Sequence, residues 1–186
     1  MPKSKLSRPK TDDPQLRPIG ARALKSALDT LRPYLFEASL LDLFAGQGRF
    51  GVTASTEGIS SVTFVEKNSR TAAELTALVR SPQFPKSVNA TVLCQDVFDF
   101  LKLSQNRFDI IFADPPFPLW NQDFEERLFR AVLALLNPDS IFLVKCPGRM
   151  VPSFESIGLS QMKSSDFGES RLIYYRYEST KGKPGQ

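Results

Sequence analysis

The sequence predicts an α/β domain: a doubly wound, mostly parallel seven-stranded sheet with helices on both faces and an antiparallel hairpin at its C-terminal edge. Three observations predict it. Short apolar runs of strand length alternate with segments whose apolar residues recur every three or four positions, the pattern of parallel strands joined by crossover helices. The first of these runs feeds straight into a glycine-rich turn and a helix, between Leu40 and Gly51. The last two β-like segments follow one another with no long helix between them, so they pair antiparallel at one edge.

Ala21, Leu24, Leu28, Leu31 and Leu35 lie three or four apart, so an amphipathic helix precedes the first strand and ends near Pro33 to Phe36. Strands are expected at 40–44, 62–66, 91–94, 108–113 and 141–145, and helices at 49–56, 69–80, 97–103 and 124–136. The closing β-like segments run over 158–163 and 171–177. A chain of 186 residues fits one such domain, expected over 16–178, with a basic tail over 1–15 and a short flexible one over 179–186.

Composition narrows the function classes. No run of about 18 apolar residues is present, and the polar, proline-punctuated start from Met1 to Leu16 has no apolar centre of a secretory signal, so a cytoplasmic protein is expected. Cys94 and Cys146 sit in separate apolar runs and read as reduced thiols of buried strands. With no histidine, imidazole metal sites and histidine general bases are excluded, and no metal is expected. The net charge of +4 is unevenly spread: residues 19–177 carry 17 bases and 17 acids, so the excess sits on the tails. Lys3, Lys5, Arg8, Lys10 and Arg17 make the N-terminal tail a candidate polyanion-holding arm, though solvated disorder has the same composition.

The sharpest motif runs from Asp42 through Phe44, Ala45, Gly46, Gln47 and Gly48 to Gly51. In a parallel sheet, ligands bind beyond the carboxyl end of the strands, and glycine lets backbone amides approach them. Glu66 ends the second strand eighteen residues after Gly48, near the spacing of an acid that binds both hydroxyls of a ribose. A tight turn with no ligand shows the same glycines. Asp42, however, would repel a pyrophosphate, whereas it can order the loop and pair with the cationic amino-acid portion of S-adenosylmethionine. Asp96, after the third strand, is positioned to accept from an adenine amino group, with Val97 or Phe98 covering the ring. It also reads as the N-cap of the next helix.

The fourth strand delivers Asp114-Pro115-Pro116-Phe117. Two prolines remove two amide donors and leave a turn rich in carbonyl acceptors. That suits an exocyclic base amine: Asp114 and a proline carbonyl accept its hydrogens while Phe117 stacks on the ring. The same tetrapeptide also ends strands without any catalytic role. Cys146-Pro147 raises a nucleophilic cysteine as a minor alternative.

These residues together resemble the bacterial methyltransferases that modify guanine N2 in small-subunit ribosomal RNA, a family of the class I, Rossmann-like fold. The resemblance covers roughly residues 16–177 and rests on Asp42–Gly51, Glu66, Asp96, Asp114–Phe117, Leu16-Arg17-Pro18, and Phe167–Leu172 followed by the final strand. It implies S-adenosylmethionine as cofactor, held by Asp42, Phe44, Ala45, Gly46, Gly48, Glu66, Lys67, Asp96 and Val97. It implies catalysis at Asp114, Pro115, Pro116 and Phe117, ribosomal RNA as partner, possible action within a small-subunit particle, and a monomer. Departures fall on the RNA side: Ile19 stands where threonine is usual, Leu24-Lys25 where arginine-glutamate is common, and Lys67 where an acid is frequent. Met1–Gln15 is also too short and polar for the hairpin that members carry there. Amino methylation of another base or a protein amide, and an idle S-adenosylmethionine- or RNA-binding factor, are the competing expectations.

Overall fold

Residues 19–150 and 158–178 are described by a computed structural model. The chain order is α1 (Ala21–Leu35), β1 (Ser39–Leu43), α2 (Arg49–Ala54), β2 (Ser61–Glu66), α3 (Ser69–Arg80), β3 (Asn89–Cys94), α4 (Val97–Leu103) and β4 (Phe108–Ala113). A 3₁₀ turn (Phe117–Leu119), α5 (Gln122–Leu133), β5 (Leu136–Pro147), β6 (Leu159–Phe167) and β7 (Ser170–Tyr177) complete it. The strands form one sheet in the order β3-β2-β1-β4-β5-β7-β6, parallel from β3 to β5 and antiparallel at β5–β7 and β7–β6. That is the expected architecture, with β7 inserted between β5 and the edge strand β6.

Period-two alternation along each strand sends side chains to opposite faces, and both faces are covered. Leu40, Val62, Phe64, Ile110, Phe112 and Leu143 pack with α1, α2 and Leu75 of α3. Leu41, Leu43, Val65, Ile111, Phe142 and Val144 pack with Val97, Phe100 and Leu101 of α4 and Leu128, Phe129 and Val132 of α5. Two apolar layers thus sandwich β1, β4 and β5, which explains why those strands read as continuous apolar runs. At the opposite end from the glycine turn, Asp109 accepts the Ser39 N–H (2.9 Å), the Ser39 hydroxyl (2.7 Å) and the Asn137 amide (2.8 Å), locking β1, β4 and β5 together.

Several expectations are corrected. Helix α5 stops at Leu133, and Leu136 already pairs with Phe108, because Asn137, Pro138 and left-handed Asp139 (φ 65) bulge within β5. Helix α2 ends at Ala54 and β6 extends to Phe167. Cys94 is exposed rather than a core thiol, since β3 is the sheet edge; Cys146 is buried as expected. Among the described residues no helix is long and apolar enough to cross a membrane. The expected tails at 1–15 and 179–186 lie outside the described residues.

Candidate active site

Strands β2, β1 and β4 are neighbours in register, Leu43 opposite both Val65 and Ala113, so the residues after each strand emerge side by side. The strand order reverses between β1 and β4, which is where open α/β sheets hold ligands. Beyond β1 the backbone turns through three left-handed residues, Phe44 (φ 57), Gly46 (φ 53) and Gly48 (φ 70). Such a conformation costs a non-glycine residue about 1–2 kcal/mol, so Phe44 carries strain at this point.

The glycines serve different ends. A β-carbon on Gly46 would meet nothing within 4 Å, so that side of the turn is open. At Gly48 it would stand 2.5 Å from Leu75 Cδ1, and at Gly51 2.4 Å from Phe64 Cε1 and 3.0 Å from Asp42 Oδ2. Close approach to a ligand was expected at both Gly46 and Gly48; at Gly48 the absent side chain also makes room for Leu75 and Phe64.

Two carboxylates, Asp42 and Glu66, brace this turn, and a third, Asp96, follows β3. Asp42 is buried, and its Oδ2 accepts the Gly51 N–H at 2.9 Å, tying the end of β1 to α2. Burial holds its carboxyl well above the usual range, and the nearby Asp114 and Glu66 push the same way. These contacts support the loop-ordering role. Glu66 accepts the Gly46 N–H (2.8 Å) on one oxygen and the Asn68 N–H (2.7 Å) on the other. Each oxygen retains a lone pair for a further donor such as a ribose hydroxyl. The Glu66 neighbour Lys67 is exposed. Asp96 caps α4 by accepting the Phe98 N–H at 2.8 Å and is itself exposed, above buried Val97.

Asp114 emerges at the end of β4, followed by buried Pro115, half-buried Pro116 and Phe117. Its two oxygens accept from Lys145 Nζ at 2.7 and 3.0 Å, and the backbone N–H of Ile19 donates to it as well. Burial raises the Asp114 pKa, against the lowering effect of Lys145. Lys145 also lies 5.4 Å from the Phe117 ring centre. Beside them opens a cleft of about 550 Å³ walled by the start of α1 (Gly20, Arg22), Phe117, Lys145, the end of β6 (Phe167) and the β6–β7 turn (Glu169).

Sequence reasoning missed Lys145, whose only signal was a lysine inside an otherwise apolar strand. It also missed an aromatic group in which Phe124 lies 6.3 Å from Phe44, 5.7 Å from Phe98 and 5.6 Å from Trp120. Arg127 covers one face of Phe98, 3.7 Å from its centre. Cys146, the minor nucleophile alternative, is buried, and burial pushes its thiol up to about 12, which works against a reactive thiolate. Lys3, Lys5, Arg8, Lys10 and Arg17 lie outside the described residues.

Comparison with known proteins agrees with this geometry. Ribosomal RNA small subunit methyltransferase D of Haemophilus influenzae is 38% identical over 104 residues, 55% of this chain and 53% of that protein. The chain spans about half the length of the curated relatives it matches first. The structure of HI0767 from Haemophilus influenzae superposes with a TM-score of 0.73 at 26% identity, covering 87% of this chain and all of that one. SMU.776, solved as a complex with SAH, shares the fold at a TM-score of 0.64 and 17% identity over 80% of this chain and 49% of its own. The family described as Conserved hypothetical protein 95 matches residues 3–176, nearly the whole sequence, and the chain belongs to that family.

Proposed function

We propose that the protein transfers a methyl group from S-adenosylmethionine to the exocyclic N2 amine of a guanine in small-subunit ribosomal RNA. The observation that carries this reading is the acceptor turn at Asp114, which follows β4 beside the end of β1, where the glycine turn begins. The name of the Haemophilus influenzae relative supports ribosomal RNA as the substrate class.

The donor set fits the cofactor. Glu66 would hold the ribose hydroxyls and Asp96 the adenine amine, with Val97 or Phe98 covering the ring. Asp42, Phe44, Ala45, Gly46, Gly48 and Lys67 would shape the amino-acid end. Bound there, S-adenosylmethionine supplies an electrophilic methyl on a sulfonium.

The chain's own part is acceptance and alignment. An exocyclic amine is a poor nucleophile because its lone pair is delocalised into the ring. Asp114 accepting one N–H and the Pro115 carbonyl the other lets the nitrogen pyramidalise and aim its lone pair. Phe117 stacks on the base and Pro116 fixes the turn, so geometry supplies most of the rate. The base must first leave its stack, at a cost of a few kcal/mol. Lys3, Lys5, Arg8, Lys10 and Arg17 would supply that by neutralising phosphates. Mass spectrometry of small-subunit ribosomal RNA nucleosides from a strain lacking the gene tests the reading. Loss of one N2-methylguanosine is expected; an intact N2-methylguanosine level beside a lost methyladenosine would transfer the assignment to adenine.

A further inference from the structure

Lys145 stands within the apolar strand β5 with only 4% of its side chain exposed, beside an Asp114 side chain that is 14% exposed. The two come from adjacent parallel strands, one position beyond the Ala113–Val144 pair, so the sheet register itself brings them together. The ammonium spans both carboxylate oxygens, at 2.7 and 3.0 Å. A buried lysine and a buried aspartate each carry a large desolvation penalty, offset here by their mutual contact.

Resting on the reading of Asp114 as the amine acceptor, we propose that Lys145 is a positioning residue. It keeps Asp114 an anion in a dry site and turns the carboxylate's remaining lone pair toward the substrate amine.

The lone-pair count gives this content. A carboxylate offers about four acceptor positions. Among the described residues, Lys145 takes two and the Ile19 N–H a third. One substrate N–H therefore completes the shell, which leaves the second amine hydrogen to a proline carbonyl. Without the ammonium, burial would favour protonated Asp114. A protonated Asp114 would present an O–H donor to an amine that is also a donor. The other charges around the cleft are Arg22 on α1, Glu169 in the β6–β7 turn and Asp166 on β6, the last bonded to Arg171 at 2.6 Å. Lys145 alone among the cations named here touches Asp114.

The experiment measures methyl transfer from radiolabelled S-adenosylmethionine to small-subunit ribosomal RNA, as naked RNA and as particles, across a pH series. Wild type, Lys145→Met, Lys145→Arg and Asp114→Asn are compared. In Lys145→Met the acid limb of kcat should move up by about 1–3 pH units, the effect of removing an opposite charge at this range, with turnover recovering in alkali. KM for S-adenosylmethionine should stay within about threefold of wild type. Lys145→Arg keeps the charge and should keep the limb in place, whatever its absolute rate. A Lys145→Met profile that superposes on wild type after scaling would overturn the proposal. So would an Arg profile that moves as far as the Met one, a comparison that stands on its own if the Met variant does not fold. A fully active Asp114→Asn would instead sink the underlying reading of Asp114, so the two failures are distinguishable.

Discussion

Gly51→Ala tests how the glycine turn is built. The added methyl would stand 2.4 and 2.9 Å from the Phe64 ring and 3.0 Å from Asp42 Oδ2, the oxygen that accepts the Gly51 N–H. Phe64 is fully buried between β2 and the helices, so its ring cannot swing into solvent. Overpacking of this severity costs about 3 kcal/mol, the upper end of the usual range. Replacing glycine by alanine inside α2 returns about 1 kcal/mol of helix propensity. Packing wins by about 2 kcal/mol, which for a chain of this size lowers the melting temperature by about 4–8 °C. Differential scanning fluorimetry with a circular-dichroism check reads the change. A Gly51→Ala protein that melts at or above wild type would refute the close approach of α2 to the sheet.

Glu66→Ala should weaken S-adenosylmethionine binding by about 10-fold to 100-fold, corresponding to a charge-assisted contact of about 1.5–3 kcal/mol. Unchanged affinity by calorimetry would remove Glu66 from the ribose. At the other end of the sheet, burial raises the Asp109 carboxyl, but bonds from Ser39 and Asn137 outweigh it and leave its pKa below the ordinary value. Its folded pKa therefore lies below its unfolded one, so its stabilisation is present above about pH 4 and is lost as pH falls through the folded value. Asp109→Asn should flatten that acid loss in urea melts taken at successive pH values, and an unchanged acid slope would show that other carboxyls set it. Deleting residues 1–12 should weaken RNA binding and flatten its dependence on salt by about 0.7–0.9 log units per lost phosphate contact. Parallel salt lines with equal intercepts would leave the tail without a role.

Much of the fold was legible because strands covered on both faces are apolar at nearly every position, as 108–113 and 141–145 are apart from Asp109 and Lys145. The glycine turn, Glu66, Asp96 and Asp114 were legible for a related reason. Each ends a strand, and parallel strands deliver their ends to one side. What escaped was set by tertiary neighbours. Cys94 lies in an apolar run like any other, and only the strand order makes β3 an exposed edge. Leu135 and Leu136 continue the helical spacing of α5, yet the pairing of Leu136 with Phe108 draws it into the sheet. The partner of Lys145 is 31 residues away, joined to it by the register of β4 on β5 and not by any local spacing.

The central claim is that Asp114 acts on the substrate amine and not on the cofactor. Truncation to alanine would leave the buried ammonium of Lys145 with neither counter-charge nor acceptor, at a cost of about 3–5 kcal/mol in stability, whereas asparagine keeps one acceptor oxygen for it. The decisive measurement compares Asp114→Asn with wild type for two quantities in one preparation: S-adenosylmethionine affinity by calorimetry, and single-turnover methyl transfer to small-subunit ribosomal RNA. The account predicts affinity within a few-fold of wild type and a turnover lowered about 10²- to 10³-fold, the cost of losing one preorganised hydrogen-bonding group, because the asparagine oxygen stays on Lys145 and its NH2 meets the substrate amine as a second donor. Near-normal turnover, or a loss of cofactor affinity that matches the loss of rate, would contradict it.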